Sequence, residues 1–315
     1  MSDDGYTAGG NPTQVEKYND VADTWTVKAD LNTGRQNLAG FSLNGYGYTA
    51  GGGIAVAYAI TEKYDGVANT WTVKADLNTG RYFLAGFSLN GYGYTAGGRF
   101  ANTTTPATEK YDDVANTWTV KANLNTARQQ LTGFSLNGYG YTAGGRNGSP
   151  YRSSVTEKYD DVANTWTPKA NLNSARRLLA GFSLNGYGYT AGGETSSINF
   201  LAITEKYDDV GDTWTTKANL STVRTDLAGF SLNSYGYTAG GYTGVASALT
   251  EKYDDVGDTW TTKANLNTAR NGSPAGFSIS AAVATVINIL GRSLLRSTGA
   301  SVSGGIACGK GKKRR

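Results

Sequence analysis

Histidine is absent from this chain of 315 residues, and cysteine occurs once. Without histidine the chain lacks the commonest general base and the commonest ligand of transition metals. The single cysteine, Cys308, excludes an internal disulfide and a zinc site built from a cysteine cluster. We therefore expect no histidine-based catalytic site and no cofactor.

Acidic residues are missing from the end of the chain. After Arg270 there are seven basic residues and no acidic ones, so the net charge of +4 hides an acidic body. Residues 1–270 hold 22 basic and 25 acidic groups, which gives them a net charge of −3. We expect no nucleic-acid surface on this body, whereas the basic end suits an acidic partner.

Long apolar runs and helical apolar stripes are also lacking. The apolar stretch at residues 281–290 is too short to cross a bilayer. The acidic first residues do not read as a signal peptide. We expect no membrane span and a cytoplasmic location, or assembly into a virion made in the cytoplasm.

Glycine and aromatic residues are plentiful, and they recur in one phrase that is repeated six times. Residues 109–118 read EKYDDVANTW, and near-copies of this stretch occur along the chain. The tryptophans recur every 46 to 48 residues, at Trp25, Trp71, Trp118, Trp166, Trp214 and Trp260. A period of this length indicates a repeat architecture.

Each copy predicts four short antiparallel strands. In the second copy, residues 40–44 alternate and place Phe41 and Leu43 on one face, and Asn44-Gly45 is a hairpin signal. Residues 46–50, 60–64 and 70–73 predict the other three strands. Six sets of four strands predict an all-β, six-bladed β-propeller over residues 1–280.

The ends of the repeat region do not coincide with the ends of a predicted blade. The chain begins on a second strand at Gly5, and its repeats end on a first strand at residues 275–279. We predict that these fragments pair, so that the last first-strand completes the first blade and removes two exposed sheet edges.

The tail, residues 281–315, does not continue the repeat. It is interpreted as an attachment segment, as an extra strand or helix packed on the propeller, or as a degenerate repeat in a shifted reading frame. Its composition predicts disorder over residues 297–315.

The repeat resembles a known family. A glycine pair, six residues between Tyr111 and Trp118, and Arg128 ten residues further on are similar to the kelch repeat. The resemblance covers residues 5 to about 279 and implies a kelch-type β-propeller. It does not imply one activity, because such propellers serve many functions.

Variation between the copies is confined to two places. One is the loop between the glycine pair and the next glutamate, and the other is the pair of residues after each recurrent arginine. In an up-and-down blade both connections lie at the same end, so we predict a variable face and a uniform face. Loops on a rigid scaffold are where binding usually occurs.

Each of the five longer loops carries an aromatic residue that is a candidate for ligand contact. These candidates are Tyr58, Phe100, Tyr151, Phe200 and Tyr242. The alternative is that each loop folds back onto its own blade.

Six arginines recur just before the innermost strands, where we expect them to ring the mouth of the central channel. They are Arg35, Arg81, Arg128, Arg176, Arg224 and Arg270. Such a ring would attract carboxylate or phosphate, as do arginines at the same loop of some kelch adaptors that this arrangement resembles. In the alternative, each arginine pairs with its own blade's acid or backbone carbonyls.

These patterns favour a non-enzymatic binding scaffold that engages a protein or glycan through the variable face. One alternative is a structural or receptor-binding component of a virion or surface appendage. Another is a sugar enzyme similar to sialic-acid mutarotase, which resembles this chain in having six kelch blades. That resemblance implies acids and arginines at the channel that do not recur, whereas the arginines noted here do.

Overall fold

The strands predicted from the repeat assemble into six antiparallel sheets of four strands each. The computed structural model describes residues 3–10, 14–53, 56–148 and 152–280. From the axis outward, blade 1 is β28 (Ala275–Ile279), β1 (Asp4–Ala8), β2 (Val15–Asn19) and β3 (Thr24–Lys28). Blade 2 is β4 (Ala39–Leu43), β5 (Tyr46–Ala50), β6 (Thr61–Asp65) and β7 (Thr70–Lys74). Blade 3 is β8 (Ala85–Leu89), β9 (Tyr92–Ala96), β12 (Thr108–Asp112) and β13 (Thr117–Lys121).

The other three blades repeat this order. Blade 4 is β14 (Thr132–Leu136), β15 (Tyr139–Ala143), β16 (Thr156–Asp160) and β17 (Thr165–Lys169). Blade 5 is β18 (Ala180–Leu184), β19 (Tyr187–Ala191), β22 (Thr204–Asp208) and β23 (Thr213–Lys217). Blade 6 is β24 (Ala228–Leu232), β25 (Tyr235–Ala239), β26 (Thr250–Asp254) and β27 (Thr259–Lys263). Short hairpins in two variable loops pair β10 (Arg99–Phe100) with β11 (Thr103–Thr104), and β20 (Glu194–Ser196) with β21 (Asn199–Phe200).

Blade 1 is built from both ends of the repeat region. β28 pairs antiparallel with β1, from Ile279 opposite Asp4 to Ala275 opposite Ala8. The first strands of neighbouring blades pack in a closed ring of β28, β4, β8, β14, β18 and β24. The predicted six-bladed fold and its closure are therefore confirmed.

Aromatic side chains fill the seams between blades. Between blades 2 and 3, Phe41 lies edge-on to Trp118 with ring centroids 6.2 Å apart, and it stacks on Tyr48 at 5.2 Å. The indole Nε1 of Trp118 donates to Thr61 Oγ1 at 3.0 Å, which ties blade 3 to blade 2. A single blade cannot bury these faces alone, so the ring is stabilised mainly at its seams.

A glycine in the second strand makes this packing possible. At Gly93, a Cβ atom would lie 2.2 Å from Phe41 Cε2 of the neighbouring blade. The recurrent Tyr-Gly-Tyr sequence is thus a packing requirement, because any side chain there would displace the phenylalanine.

The predicted tail, residues 281–315, lies outside the described residues, so its three interpretations stay as predictions. In the described part of the chain, no helix has the length and apolar character needed to span a membrane.

Candidate functional site

The two variable connections of a blade meet at one end of the ring. There the residue after a recurrent arginine forms an isolated β-bridge with the first residue after the glycine pair. The bridges join Tyr82 to Arg99, Gln129 to Arg146, Arg177 to Glu194, and Thr225 to Tyr242. Each bridge therefore presents a different pair of residues on a repeated backbone.

A collar of backbone hydrogen bonds surrounds the axis at this end. In five blades, the second residue after the recurrent arginine has a left-handed φ of 55° to 59°. Its N–H donates, at 2.8 to 3.0 Å, to the carbonyl oxygen of the equivalent residue in the preceding blade. The collar consists of Asn37, Phe83, Gln130, Leu178, Asp226 and Gly272. A fixed backbone thus presents amide, aromatic, aliphatic and carboxylate side chains around one opening.

The channel inside the first strands is narrow beneath the collar, where the cavity volume is about 100 Å³. At the uniform end a chamber of about 370 Å³ is lined by the phenylalanines and serines of the first strands. Each serine hydroxyl donates to the carbonyl oxygen of the serine in the preceding blade, and these bonds close a ring through Ser42, Ser88, Ser135, Ser183, Ser231 and Ser278. Small-molecule pockets usually measure roughly 300–1,000 Å³, so the cavity beneath the collar is smaller than a typical small-molecule site.

The six recurrent arginines lie inside the blades. In blade 4, Arg128 Nη2 donates to Glu157 Oε1 at 3.0 Å and to Thr142 Oγ1 at 2.8 Å. Its Nη1 donates at 2.8 Å to the carbonyl oxygens of Gly144 and Val155. All six side chains pair with a glutamate and are at most 1% exposed: Arg35, Arg81, Arg128, Arg176, Arg224 and Arg270.

These contacts correspond to the structural alternative for the recurrent arginines. None of the six lines the cavity beneath the collar, which is where the sequence had suggested a ring. Burial lowers the pKa of Arg128, and the Glu157 carboxylate opposes that shift. Ligand binding by this ring stays a prediction, and the geometry favours the structural role.

The candidate aromatic residues fall into three groups. Tyr58 and Phe100 are separate and are 37% and 49% exposed. Phe200 and Tyr242, from blades 5 and 6, contact each other with ring centroids 5.6 Å apart in an edge-on arrangement. Tyr151 lies outside the described residues. The structure thus pairs two of the candidates, and ligand contact by all five stays a prediction.

Sequence reasoning missed a set of arginines that do not recur with the repeat. We call this set the arginine patch; it consists of Arg99, Arg146, Arg152 and Arg177, on the variable face of blades 3 to 5. Arg177 Nη2 lies 2.5 Å from Glu194 Oε1, and Arg152 Nη2 lies 3.8 Å from the same oxygen. Arg177 Nη1 also donates to Gln130 Oε1 at 2.8 Å. The sequence does contain an indication of this patch, because three of the four arginines occupy the variable positions next to the glycine pair or the recurrent arginine.

Arg146 lies among the other three arginines. In the part of the chain that the structure describes, the ion pairs of the patch involve only Arg152 and Arg177. The Nε atoms of Arg99 and Arg146 are buried without a hydrogen-bond partner among the described residues. Burial lowers the pKa of Arg146, and the charges of Arg177, Arg152 and Arg99 lower it further.

The collar also holds a titratable carboxyl. Burial raises the pKa of Asp226 to about 6; a hydrogen bond from Ser273 Oγ, 2.6 Å long, opposes the rise, and nearby Glu194 adds to it. The charge of Arg177 opposes the rise more weakly. Among the described residues, no three acidic, cysteine or histidine side chains lie together as metal ligands.

Comparison with known proteins identifies the fold. No family model and no curated protein matches the chain. Among solved structures, one titled "Structure of YjhT" superposes with a TM-score of 0.66 at 16% identity, covering 76% of this chain and 86% of that chain. At this identity the likeness concerns the fold alone. Together with the closed ring of four-stranded sheets, it identifies the chain as a six-bladed β-propeller.

Proposed function

We propose that this chain is a non-enzymatic, kelch-type binding scaffold that engages a protein or glycan through the variable face. The observation that carries the proposal is the collar, where one backbone conformation presents five different side chains and Gly272 occupies the sixth position. The side chains that fill the seams recur from blade to blade, as Phe41 and Phe87 do. A rigid frame with diversified side chains at one end suits recognition of one ligand in one orientation.

The opposite face supports the proposal by contrast. Its turns between the third and fourth strands present the same exposed residue in every blade. These valines are 82% to 94% exposed: Val21, Val67, Val114, Val162, Val210 and Val256. A surface with the same group at six equivalent positions offers a ligand no preferred orientation.

The proposal is tested by exchanging one variable loop. Residues 53–61 replace residues 242–250 of blade 6; both stretches contain nine residues. The variant is expected to fold, because surface loops tolerate exchange, and to show a changed profile on a glycan array and in pull-downs.

The matched control is Val114→Ser, which alters the uniform face. Its binding profile is expected to equal that of the wild type. An unchanged profile in the loop exchange, together with a changed profile in Val114→Ser, would move the binding site to the uniform face.

A second candidate is an enzyme that acts on sugars, and the surroundings of Asp226 favour it. The sequence argument against such an enzyme was that the arginines recur, but Arg177 does not recur and lies with Glu194 near this carboxyl. A carboxyl with a pKa near 6 suits proton transfer close to neutral pH. Exchange between sugar anomers followed by NMR tests this candidate: acceleration by the wild type that is lost in Asp226→Asn would support it.

A further inference from the structure

We propose that the arginine patch binds an oxyanion, a phosphate or sulfate ester carried by the ligand of the variable face. This inference rests on the proposed function, because it names the chemistry that the face recognises. The patch brings Arg99, Arg152 and Arg177 near Arg146, together with one carboxylate, that of Glu194. Its local charge is therefore positive, although residues 1–270 carry a net charge of −3.

Two of the four arginines already have an acidic partner. Glu194 Oε1 lies within 2.7 Å of both Nε and Nη2 of Arg177, and Arg152 approaches the same oxygen. This carboxylate is 5% exposed, so it is oriented by the protein and not by solvent. It holds the patch together but neutralises only one of the four positive charges.

The other two arginines are held in place without an acid. Arg99 donates from Nη2 to Asn102 Oδ1 at 2.9 Å, and its guanidinium carbon lies 5.9 Å from the ring centroid of Tyr82. Arg146 is fixed through its backbone, by reciprocal N–H to carbonyl hydrogen bonds with Gln129 at 2.9 Å. Each has a buried Nε that no described residue engages. Neighbouring blades thus hold two guanidinium groups without an ion-pair partner among the described residues, and the charge of Glu194 offsets the repulsion at Arg146 only in part.

The number of these donors favours phosphate or sulfate over a single carboxylate. A carboxylate accepts one guanidinium fork, whereas a tetrahedral ester presents three terminal oxygens and accepts forks from two sides. A phosphate monoester also carries about −1.5 to −2 charges at neutral pH, which matches the excess positive charge better. Phe100 follows Arg99 directly and is 49% exposed, so it offers an apolar contact for the rest of the ligand.

The experiment titrates the full-length chain with sodium sulfate and sodium phosphate at constant ionic strength, with sodium chloride as reference. Isothermal calorimetry is expected to show saturable binding of sulfate and phosphate. Arg146→Ala and Arg99→Ala are each expected to weaken it about tenfold, the equivalent of one lost charge-assisted hydrogen bond. Arg146→Lys keeps the charge but loses the paired N–H donors of the guanidinium group. Its anion affinity should lie between that of the alanine variants and that of the wild type.

The matched control is Lys28→Ala, which removes one positive charge from blade 1, across the ring from blade 4. It is expected to bind both anions as the wild type does. Equal weakening in Lys28→Ala and Arg146→Ala would reduce the effect to net charge and overturn the inference, as would a wild type that does not distinguish sulfate and phosphate from chloride.

Folding and the proposed function are separated by two further measurements. The melting temperature of Arg146→Ala in chloride should not fall, because the change relieves repulsion between like charges. If anion binding fails while the exchange of residues 242–250 still changes the binding profile, the oxyanion inference is wrong and the scaffold proposal stands. If anions bind but that exchange changes nothing, the scaffold proposal is the one that fails.

Discussion

Arginine side chains occupy two different environments in this protein. Arg128 is buried in its blade with four acceptors, one of which is the carboxylate of Glu157. Arg146 lies on a face with like-charged neighbours and no acid of its own in the described chain. An arginine therefore stabilises the fold at position 128, whereas at position 146 its positive charge is not neutralised by an ion pair with a described residue.

Arg128→Ala is expected to lower the free energy of unfolding by about 3–5 kcal/mol. The cause is that Glu157, which is 1% exposed, would remain buried without its cation. Urea unfolding measures the loss, and sulfate titration of any folded fraction should match the wild type. A loss below about 1 kcal/mol would contradict the structural role.

Asp226→Asn should change how stability depends on pH. Because the folded pKa, about 6, lies above the ordinary value of 3.8, the contribution of this group is greatest below pH 3.8 and is lost as the pH rises through 6. The neutral asparagine should therefore exceed the wild type in stability at pH 8, by on the order of 1 kcal/mol. Near pH 4 this advantage should disappear. Chemical unfolding at both pH values checks this, and a difference independent of pH would show that Asp226 titrates normally.

Turns between the third and fourth strands link neighbouring blades through a carboxylate. In the seam of blades 3 and 4, Asp161 accepts hydrogen bonds from Tyr94 and from Lys110, whose Nζ lies 3.2 Å away. Burial alone would raise the pKa of Asp161, but these two bonds lower it overall. The seam of blades 1 and 2 differs, because Gly66 occupies the position of this aspartate and Lys17 pairs instead with Asp4 at 2.7 Å.

This exception predicts a compensating pair of substitutions. Asp4→Asn should cost about 0.5–1 kcal/mol, as expected for a partly exposed ion pair, and Gly66→Asp should restore it. A Cβ at Gly66 would lie 3.2 Å from Tyr6 Oη, so the new carboxylate would stand where the other seams have theirs. Thermal unfolding of both single variants and the double variant measures the coupling; strictly additive effects would show that the two carboxylates do not replace each other.

Strand β28 is expected to be essential for folding because it supplies the innermost strand of blade 1. A chain ending at residue 272 would expose the edge of β1 and uncover Phe277's seam with Tyr6 and Trp71. We expect it to aggregate or to lose its cooperative transition, as measured by size-exclusion chromatography and circular dichroism. The control ends at Ser280 and keeps β28. A monomeric, cooperatively folding chain of 272 residues would contradict the closure.

The features of the ring that recur in every repeat could be predicted from the sequence. Strand positions, the seam residues such as Trp118 and the closure by residues 275–279 all follow from alternation and from period, which are local properties of the sequence. The arginine patch was not predictable in the same way. Arg146 lies 47 positions after Arg99 and 31 before Arg177, and only the ring brings the three to one face. The buried state of Arg128 depends likewise on a glutamate that lies 29 positions away.

Because only blade 1 joins the first and last strands of the repeat region, the number of repeats between them is independent of how these two strands pair. Duplication or loss of any one unit of about 47 residues would leave a repeat region that still starts with a second strand and ends with a first strand. Such a chain would keep both strands of the pair that closes the ring, whatever its number of repeats. Unequal recombination within the coding sequence could therefore add or remove blades, or exchange their variable loops, while the closing strand pair stays the same.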